Sequence, residues 1–202
     1  DCTTTATKTD AGYEINGFKG VVLGGPSADV LVVVARTSGE QKDDAGLTLF
    51  LVDANASGVS RRDYPTVDGL RASEITFEQV VVNEADVLGE VDGGLSVLEK
   101  VIDQAILAVG AEAVGAMEVL YKTTVEYCKT REQFGQPIGK FQVLQHKMVD
   151  MFMEHEQTKS LVYMAALRLD SAYDVMARKA VSALKVQVGK GGTLVGQGAV
   201  QL

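Results

Sequence analysis

The stretch Val80-Val81-Val82-Asn83-Glu84-Ala85-Asp86-Val87-Leu88-Gly89-Glu90-Val91-Asp92-Gly93-Gly94-Leu95 is where the chain changes its periodicity. Before it, short β-branched runs alternate with turn signals, the pattern of an all-β module. After it, apolar residues recur at the spacing of amphipathic helices. The polar, glycine-rich run between Asn83 and Gly94 reads as the connection. The sequence therefore predicts an α+β chain, with an antiparallel β-sandwich or barrel module over residues 1–86 and a bundle of long helices over residues 87–202.

Upstream of the change, strands are expected over residues 3–7, 13–15, 19–23, 30–36, 47–52, 59–62 and 73–82. Asn16-Gly17 reads as a two-residue hairpin turn between two of them, because both central positions of a type I′ turn need positive φ. Gly24-Gly25-Pro26 and Asp43-Asp44-Ala45-Gly46 mark further turns. Downstream, helices are expected over residues 95–130, 141–169 and 173–202, interrupted by Gly135, Pro137 and Gly139. The first would be about 50 Å long. Three long helices leave one face of a four-helix bundle open, so the bundle is expected to lack a helix, to borrow cover from another subunit, or both. The last helix carries Gly189, Gly191, Gly192, Gly196 and Gly198. Each costs about 1 kcal/mol relative to Ala in a helix interior, which close approach by a neighbouring helix or a ligand would offset.

With 46% apolar residues in 202, the chain can bury one good core or two small ones and should be an ordered soluble protein. Its net charge is −8, and Lys and Arg are nowhere concentrated enough to track a phosphate backbone. Nucleic acid is not an expected partner. Cys2 and Cys128 lie too far apart for a disulfide framework or a metal knuckle, which fits a reducing compartment such as the bacterial cytoplasm. No apolar run reaches the length needed to span a bilayer, so no membrane span is expected. The Thr-rich start without an initiator Met, and an end inside an apolar helical pattern, read as a piece of a longer protein.

Chemistry-bearing motifs are scarce. His146 and His155 have neither the spacing of a helical metal pair nor a nearby Cys, so no metal site is expected. No Ser, Cys or Thr sits in a G-x-S-x-G elbow. Gly189-Lys190-Gly191-Gly192-Thr193 lacks the spacing of a phosphate loop and follows no strand. The informative stretch is Arg131-Glu132-Gln133-Phe134-Gly135-Gln136-Pro137-Ile138-Gly139-Lys140-Phe141-Gln142, at the break between two long helices. On its residues alone it has two readings. Arg131 could complement a helix C-terminus while Phe134 and Ile138 cover the end of the bundle. Alternatively, a planar five-donor guanidinium beside an amide and an aromatic ring could grip a phosphate-bearing cofactor on a neighbouring subunit.

Tyr127 followed by Arg131-x-Gln133-Phe134-Gly135-x-Pro137-Ile138 and Phe141-Gln142 resembles the C-terminal-domain signature of the acyl-CoA dehydrogenases. Gly12-Tyr13-x-Ile15-Asn16-Gly17-x-Lys19, Ala28-Asp29 with Val32-Val33-Val34-Ala35-Arg36, Phe50-Leu51-Val52, Gly69-x-Arg71-Ala72-Ser73 and Phe77-x-x-Val80-x-Val82 are similar to that family's middle β-domain. The likeness runs in order along essentially the whole chain. Within the family, the residues from Gly17 through Val22, Leu23 and Gly24 to Ala28, together with Ser60-Arg61-Arg62-Asp63-Tyr64 and Val181-Ser182-Ala183, resemble the small-subunit type of pimeloyl-CoA dehydrogenase.

The resemblance implies FAD as cofactor, an acyl-CoA thioester as substrate, oxidation to the trans-2-enoyl-CoA, an electron-transfer flavoprotein as acceptor, and homo- or hetero-oligomers built on the helical domain. It assigns Arg131, Gln133 and Phe134 to the FAD pyrophosphate and adenosine held mainly by a neighbouring subunit, with Gln201 as another such contact. Val22 and Leu23 would face the flavin ring, in a segment where the family usually reads Lys-x-Trp-Ile-Thr and this chain reads Lys19-Gly20-Val21-Val22-Leu23. Asp103 matches an acidic position that can touch the CoA end of the ligand. The usual catalytic Glu is expected beyond Leu202, and the alternative position on the first long helix falls on Ala105, so no catalytic residue is expected within the chain and the chain alone should be inactive. The replaced Trp and Thr also fit a non-catalytic partner subunit. Acyl-CoA oxidase or nitroalkane oxidase chemistry on the same fold is a further reading.

Overall fold

The structure, a computed structural model, describes residues 2–202. It divides into two compact units, residues 1–99 and 100–202, and each is described by itself.

The first unit is built on one seven-stranded sheet. Its strands are β1 (Thr5–Thr9), β2 (Gly12–Leu23), β3 (Val30–Arg36), β4 (Leu47–Asp53), β5 (Val59–Pro65), β6 (Arg71–Val82) and β7 (Val87–Leu88), in the order β5-β6-β2-β1-β3-β4-β7. Every pairing is antiparallel except β1 with β3, which are parallel at Thr5 and Arg36. The sheet curls over its own apolar face. Tyr13 of β2 and Phe50 of β4 meet edge to face at 5.1 Å although two strands separate theirs in the sheet. Alternation places Ile15, Leu31, Val33, Phe50, Ile75 and Val80 inside and leaves Val30, Val32 and Val81 outside. The expected sandwich or barrel is thus present.

The hairpin expected at Asn16-Gly17 is not. Both residues lie inside β2, and the chain reverses at Asp10-Ala11, between Thr9 and Gly12. Asn16 instead marks a bulge between Ile15 and Gly17. Its amide oxygen accepts from the Gln79 N–H at 2.8 Å on β6, and its amide nitrogen donates to Glu14. Gly17 is required there because its φ is 149° and a Cβ would sit 2.7 Å from the Thr4 Cα. A glycine demanded by close approach looks, in sequence, like one demanded by a turn.

Arg36 is a feature that the sequence did not disclose. Its buried guanidinium donates to the carbonyls of Ser38, Gln41, Asp43 and Ala45, at 3.1, 3.3, 2.8 and 2.8 Å, and so holds the loop that follows β3. Its two terminal nitrogens thus exchange water for four carbonyls, while Nε has no partner among the described residues.

The helices are α1 (Gly94–Thr130), α2 (Gln142–Ser171) and α3 (Val175–Gln201). In the second unit, α2 and α3 pack along their length around Ala165, Ala180, Val181 and Leu184, with Ile106 and Leu107 of α1 against them. Met117, Met151 and Val195 form a smaller core nearby. Asp174 caps α3, its carboxylate accepting from the Ala177 N–H at 2.8 Å. Of the five α3 glycines, two meet neighbours. A Cβ on Gly191 would lie 3.0 Å from a Glu154 carboxylate oxygen, and one on Gly198 would lie 3.0 Å from the Met151 sulfur. Gly189, Gly192 and Gly196 have no neighbour within 4 Å. By length and composition α1 is apolar enough to cross a bilayer, and only 11% of its most apolar window is buried.

Candidate functional site at the α1–α2 break

Thr130 ends α1, and the Arg131 amide makes the last helical bond, to the Tyr127 carbonyl at 2.9 Å. The chain then forms a miniature hairpin in which β8 (Glu132–Gln133) pairs with β9 (Gln136–Pro137). Its base is closed by the Ile138 N–H donating to the Arg131 carbonyl at 2.8 Å. The two tip residues, Phe134 and Gly135, have φ of 55° and 76°. Positive φ at both central positions is the requirement of a type I′ turn. The tight hairpin wrongly expected at Asn16-Gly17 has its counterpart here.

The hairpin is seated on a glycine. A Cβ on Gly139 would lie 2.9 Å from the Cys128 carbonyl, and the Gly139 carbonyl accepts from the Gln145 amide at 2.9 Å. Cys128 beneath it is buried, and burial pushes its thiol above the usual range.

What this scaffold displays is polar capacity without an internal use. The Arg131 guanidinium and the Gln133 amide are exposed and make no hydrogen bond or ion pair among the described residues. Phe134 is 91% exposed, its ring touching only the edge of Phe141, with centroids 6.1 Å apart. A bulky residue held at positive φ costs about 1–3 kcal/mol, and a ring 91% exposed, with one edge-to-face contact, buries little area to offset it. Together, a planar guanidinium, an amide and an open ring suit a ligand that joins phosphate to a flat heterocycle.

Gln201 is exposed on the last turn of α3 and lines a cleft of about 470 Å³ with Leu120, Thr124 and Tyr127 of α1. The structure thus brings it to the end of α1 from which the hairpin springs. Val22 and Leu23 belong to the other unit. A second bulge between Lys19 and Val22 puts Val21 at φ 53°, an outlier for a β-branched residue, and leaves Val21 and Leu23 exposed while Val22 packs against the core. Asp103 is already engaged. Its carboxylate accepts from the Tyr173 hydroxyl at 2.8 Å and lies 3.9 Å from Arg178. Ala105 lines a small apolar cavity with Ile102, Val109 and Val188, and Ile106 packs into the helical core. Among the described residues, no three or more metal-ligating side chains cluster.

Residues 92–202 match the acyl-CoA dehydrogenase C-terminal domain, and residues 1–80 match the acyl-CoA dehydrogenase middle domain. The chain belongs to the acyl-CoA dehydrogenase family. It is 37% identical over 169 residues to the mitochondrial isovaleryl-CoA dehydrogenase of Oryza sativa subsp. japonica, covering 82% of this chain and 41% of that protein. It is 35% identical over 170 residues to the 3-(aryl)acrylate reductase of Clostridium sporogenes, covering 83% and 45%. Among solved structures, the FAD complex of PigA superposes with a TM-score of 0.93 at 26% identity, covering 99% of this chain and 52% of that one. The chain therefore spans less than half the length of these curated relatives.

Proposed function

We propose that the full-length protein is an FAD-dependent acyl-CoA dehydrogenase in which the Arg131–Phe134 hairpin is a cofactor-binding element. The observation that carries this reading is the tip geometry, with a strained and exposed Phe134 flanked by a guanidinium and an amide that have no partner among the described residues. Family membership supplies the chemical class. FAD, when bound, supplies the hydride acceptor for oxidation of an acyl-CoA thioester to its trans-2-enoyl form. Arg131 offers paired N–H donors to the pyrophosphate, Gln133 adds an amide donor and acceptor, and Phe134 gives the adenine a face to lie on. Gln201 extends the same polar end of the helical unit. In the sheet unit, Val22 and Leu23 offer apolar cover and backbone groups to the flavin ring. Position 105 supplies no base, being Ala, so the α-proton acceptor is assigned to a part of the protein outside this chain. The chain alone is inactive on this reading, and its acceptor partner is an electron-transfer flavoprotein. Two free cysteines suit a reducing compartment.

A second reading rests on a specific observation. Where a dehydrogenase of this family would present Trp and Thr, this chain presents Val21 and Leu23, both exposed and neither able to hydrogen-bond through its side chain. That suits a subunit that completes a partner's FAD site without catalysing, as in the pimeloyl-CoA type.

Flavin titration of the full-length protein and its Arg131→Ala variant tests the binding role. A hydrogen bond to a charged group is worth about 1.5–3 kcal/mol, so FAD affinity should fall at least tenfold. Unchanged affinity would return Arg131 to the role of a helix-end cation. Turnover of acyl-CoA by the wild type separates the two readings.

A further inference from the structure

Arg36 carries its charge into the sheet unit, and among the described residues no carboxylate pairs with it. The carbonyls of Ser38 and Ala45 accept from Nη1, and those of Gln41 and Asp43 from Nη2. Four carbonyls arranged two by two around a planar fork form a receptor for a guanidinium. An ammonium would offer three donors from one point, and a metal ion would draw its ligands around one centre. Little else orders the loop. Every residue from Ser38 to Ala45 is exposed, so no apolar burial holds it. Its other bonds join Glu40 to Asp43 and the Cys2 N–H to the Gln41 carbonyl.

The base of the loop runs into the entry of α1. Gly46 closes it, with its carbonyl accepting the Thr37 N–H at 2.9 Å. Thr37, next to Arg36, joins Thr48 and Asp92 in a ring of three hydrogen bonds. The Asp92 N–H donates to Thr48 Oγ1 at 2.8 Å, and the Thr37 hydroxyl donates to Asp92 Oδ1 at 2.6 Å. The third bond, at 2.7 Å, joins the two hydroxyls. Thr37 has already committed its proton to a carboxylate that only accepts, so Thr48 is the donor there. Thr48 is wholly buried, and Asp92 is held at φ 62°. Two residues on, Gly94 begins α1, so close to β4 that a Cβ there would lie 2.8 Å from the Leu47 carbonyl.

We propose that residues 38–45 form a guanidinium site filled by the chain's own Arg36, and that its occupancy fixes the Asp92 turn from which α1 starts. Arg36 orders the loop, the ordered loop places Thr37, and Thr37 holds Asp92 through the hydroxyl ring. The link to α1 is thus made by hydrogen bonds that can be cut one at a time.

Amide hydrogen exchange on the full-length protein tests this in the wild type, Arg36→Ala and Thr37→Val. The Glu78 amide, bonded to the Gly58 carbonyl at 2.9 Å, reports that the sheet is folded. In Arg36→Ala the Asp43 and Asp92 amides should exchange about tenfold or more faster. Guanidinium chloride at about 20 mM, far below denaturing concentrations, should slow both again by about threefold or more, and equal sodium chloride should not. Thr37→Val cuts only the ring, so Asp92 should open while Asp43 keeps its wild-type rate. Three results would overturn the proposal: no response to guanidinium with Glu78 protected, opening at Asp43 without Asp92, or an unchanged Asp92 in Thr37→Val. If Arg36→Ala loses protection at Glu78 as well, Arg36→Lys replaces it, keeping the charge without the fork. Both amides should then open with Glu78 protected, and wild-type rates at either would overturn the proposal equally.

Discussion

The two units solve the burial problem differently. The sheet unit closes on itself, with Phe50, Ile15, Ile75 and Val80 almost wholly shielded and alternation sending the remaining side chains outward. The helical unit buries small residues, such as Ala165, Ala177 and Val181, at its contacts and leaves Val101, Ile102, Val109 and Val119 of α1 exposed, with Phe152, Tyr163 and Leu167 of α2. A curled sheet can supply both walls of its own core. Three helices cannot enclose a four-helix volume, so their outer apolar stripes await cover. The account therefore expects stability in the first unit to be internal and in the second to depend on association.

The largest expected effect that follows is assembly. Sedimentation of this chain should give at least a dimer, because apolar burial is worth about 25 cal/mol per Å² and patches of several hundred Å² drive association. A monodisperse monomer would erase the contrast between the units. Next in size is Phe50→Ala, which empties a fully buried ring position and should cost about 3–5 kcal/mol in the sheet unit's unfolding transition. Denaturant melts read by exchange at β3 amides check it, and a loss under 1 kcal/mol would show that the sheet core is not closed. Gly139→Ala comes third, at about 1–3 kcal/mol, since its Cβ must displace the backbone at Cys128 or lift the hairpin. The helical unit's melting temperature reports it. The smallest effect is Lys122→Ala. Lys122 holds the Glu118 carboxyl below its ordinary range through a hydrogen bond and charge, so the pair's contribution is present above the unfolded carboxyl's pKa and fades as pH falls through the folded value. Both groups are solvent-exposed, and the variant's pH–stability curve should be nearly superposable on the wild type's.

Periodicity carried most of the architecture. The strand expected over residues 30–36 is β3 as found, and each helix boundary falls within two residues of its expected place. β7 escaped, because two residues of pairing leave no periodic trace. Asn16-Gly17 misled because the demand on Gly17 comes from Thr4, a tertiary neighbour that no local pattern reveals. The candidate site was legible as a motif but not as a shape. Gly135 signalled a turn, whereas Phe134 is not a turn residue, and its positive φ is visible only in three dimensions. Arg36 was read as the end of a strand. Nothing in its neighbourhood announces four converging carbonyls.

The strain at Phe134 allows the central claim to be tested with two readouts on one variant. Phe134→Gly in the full-length protein relieves the left-handed backbone and removes an exposed ring, so thermal stability should hold or rise slightly. If the ring is held there for the cofactor, where stacking on a base is worth about 1–3 kcal/mol, FAD affinity measured by flavin titration should fall about tenfold or more. Unchanged stability with weakened binding is the predicted result. Unchanged FAD affinity, or a loss of stability large enough to explain weaker binding, would contradict it.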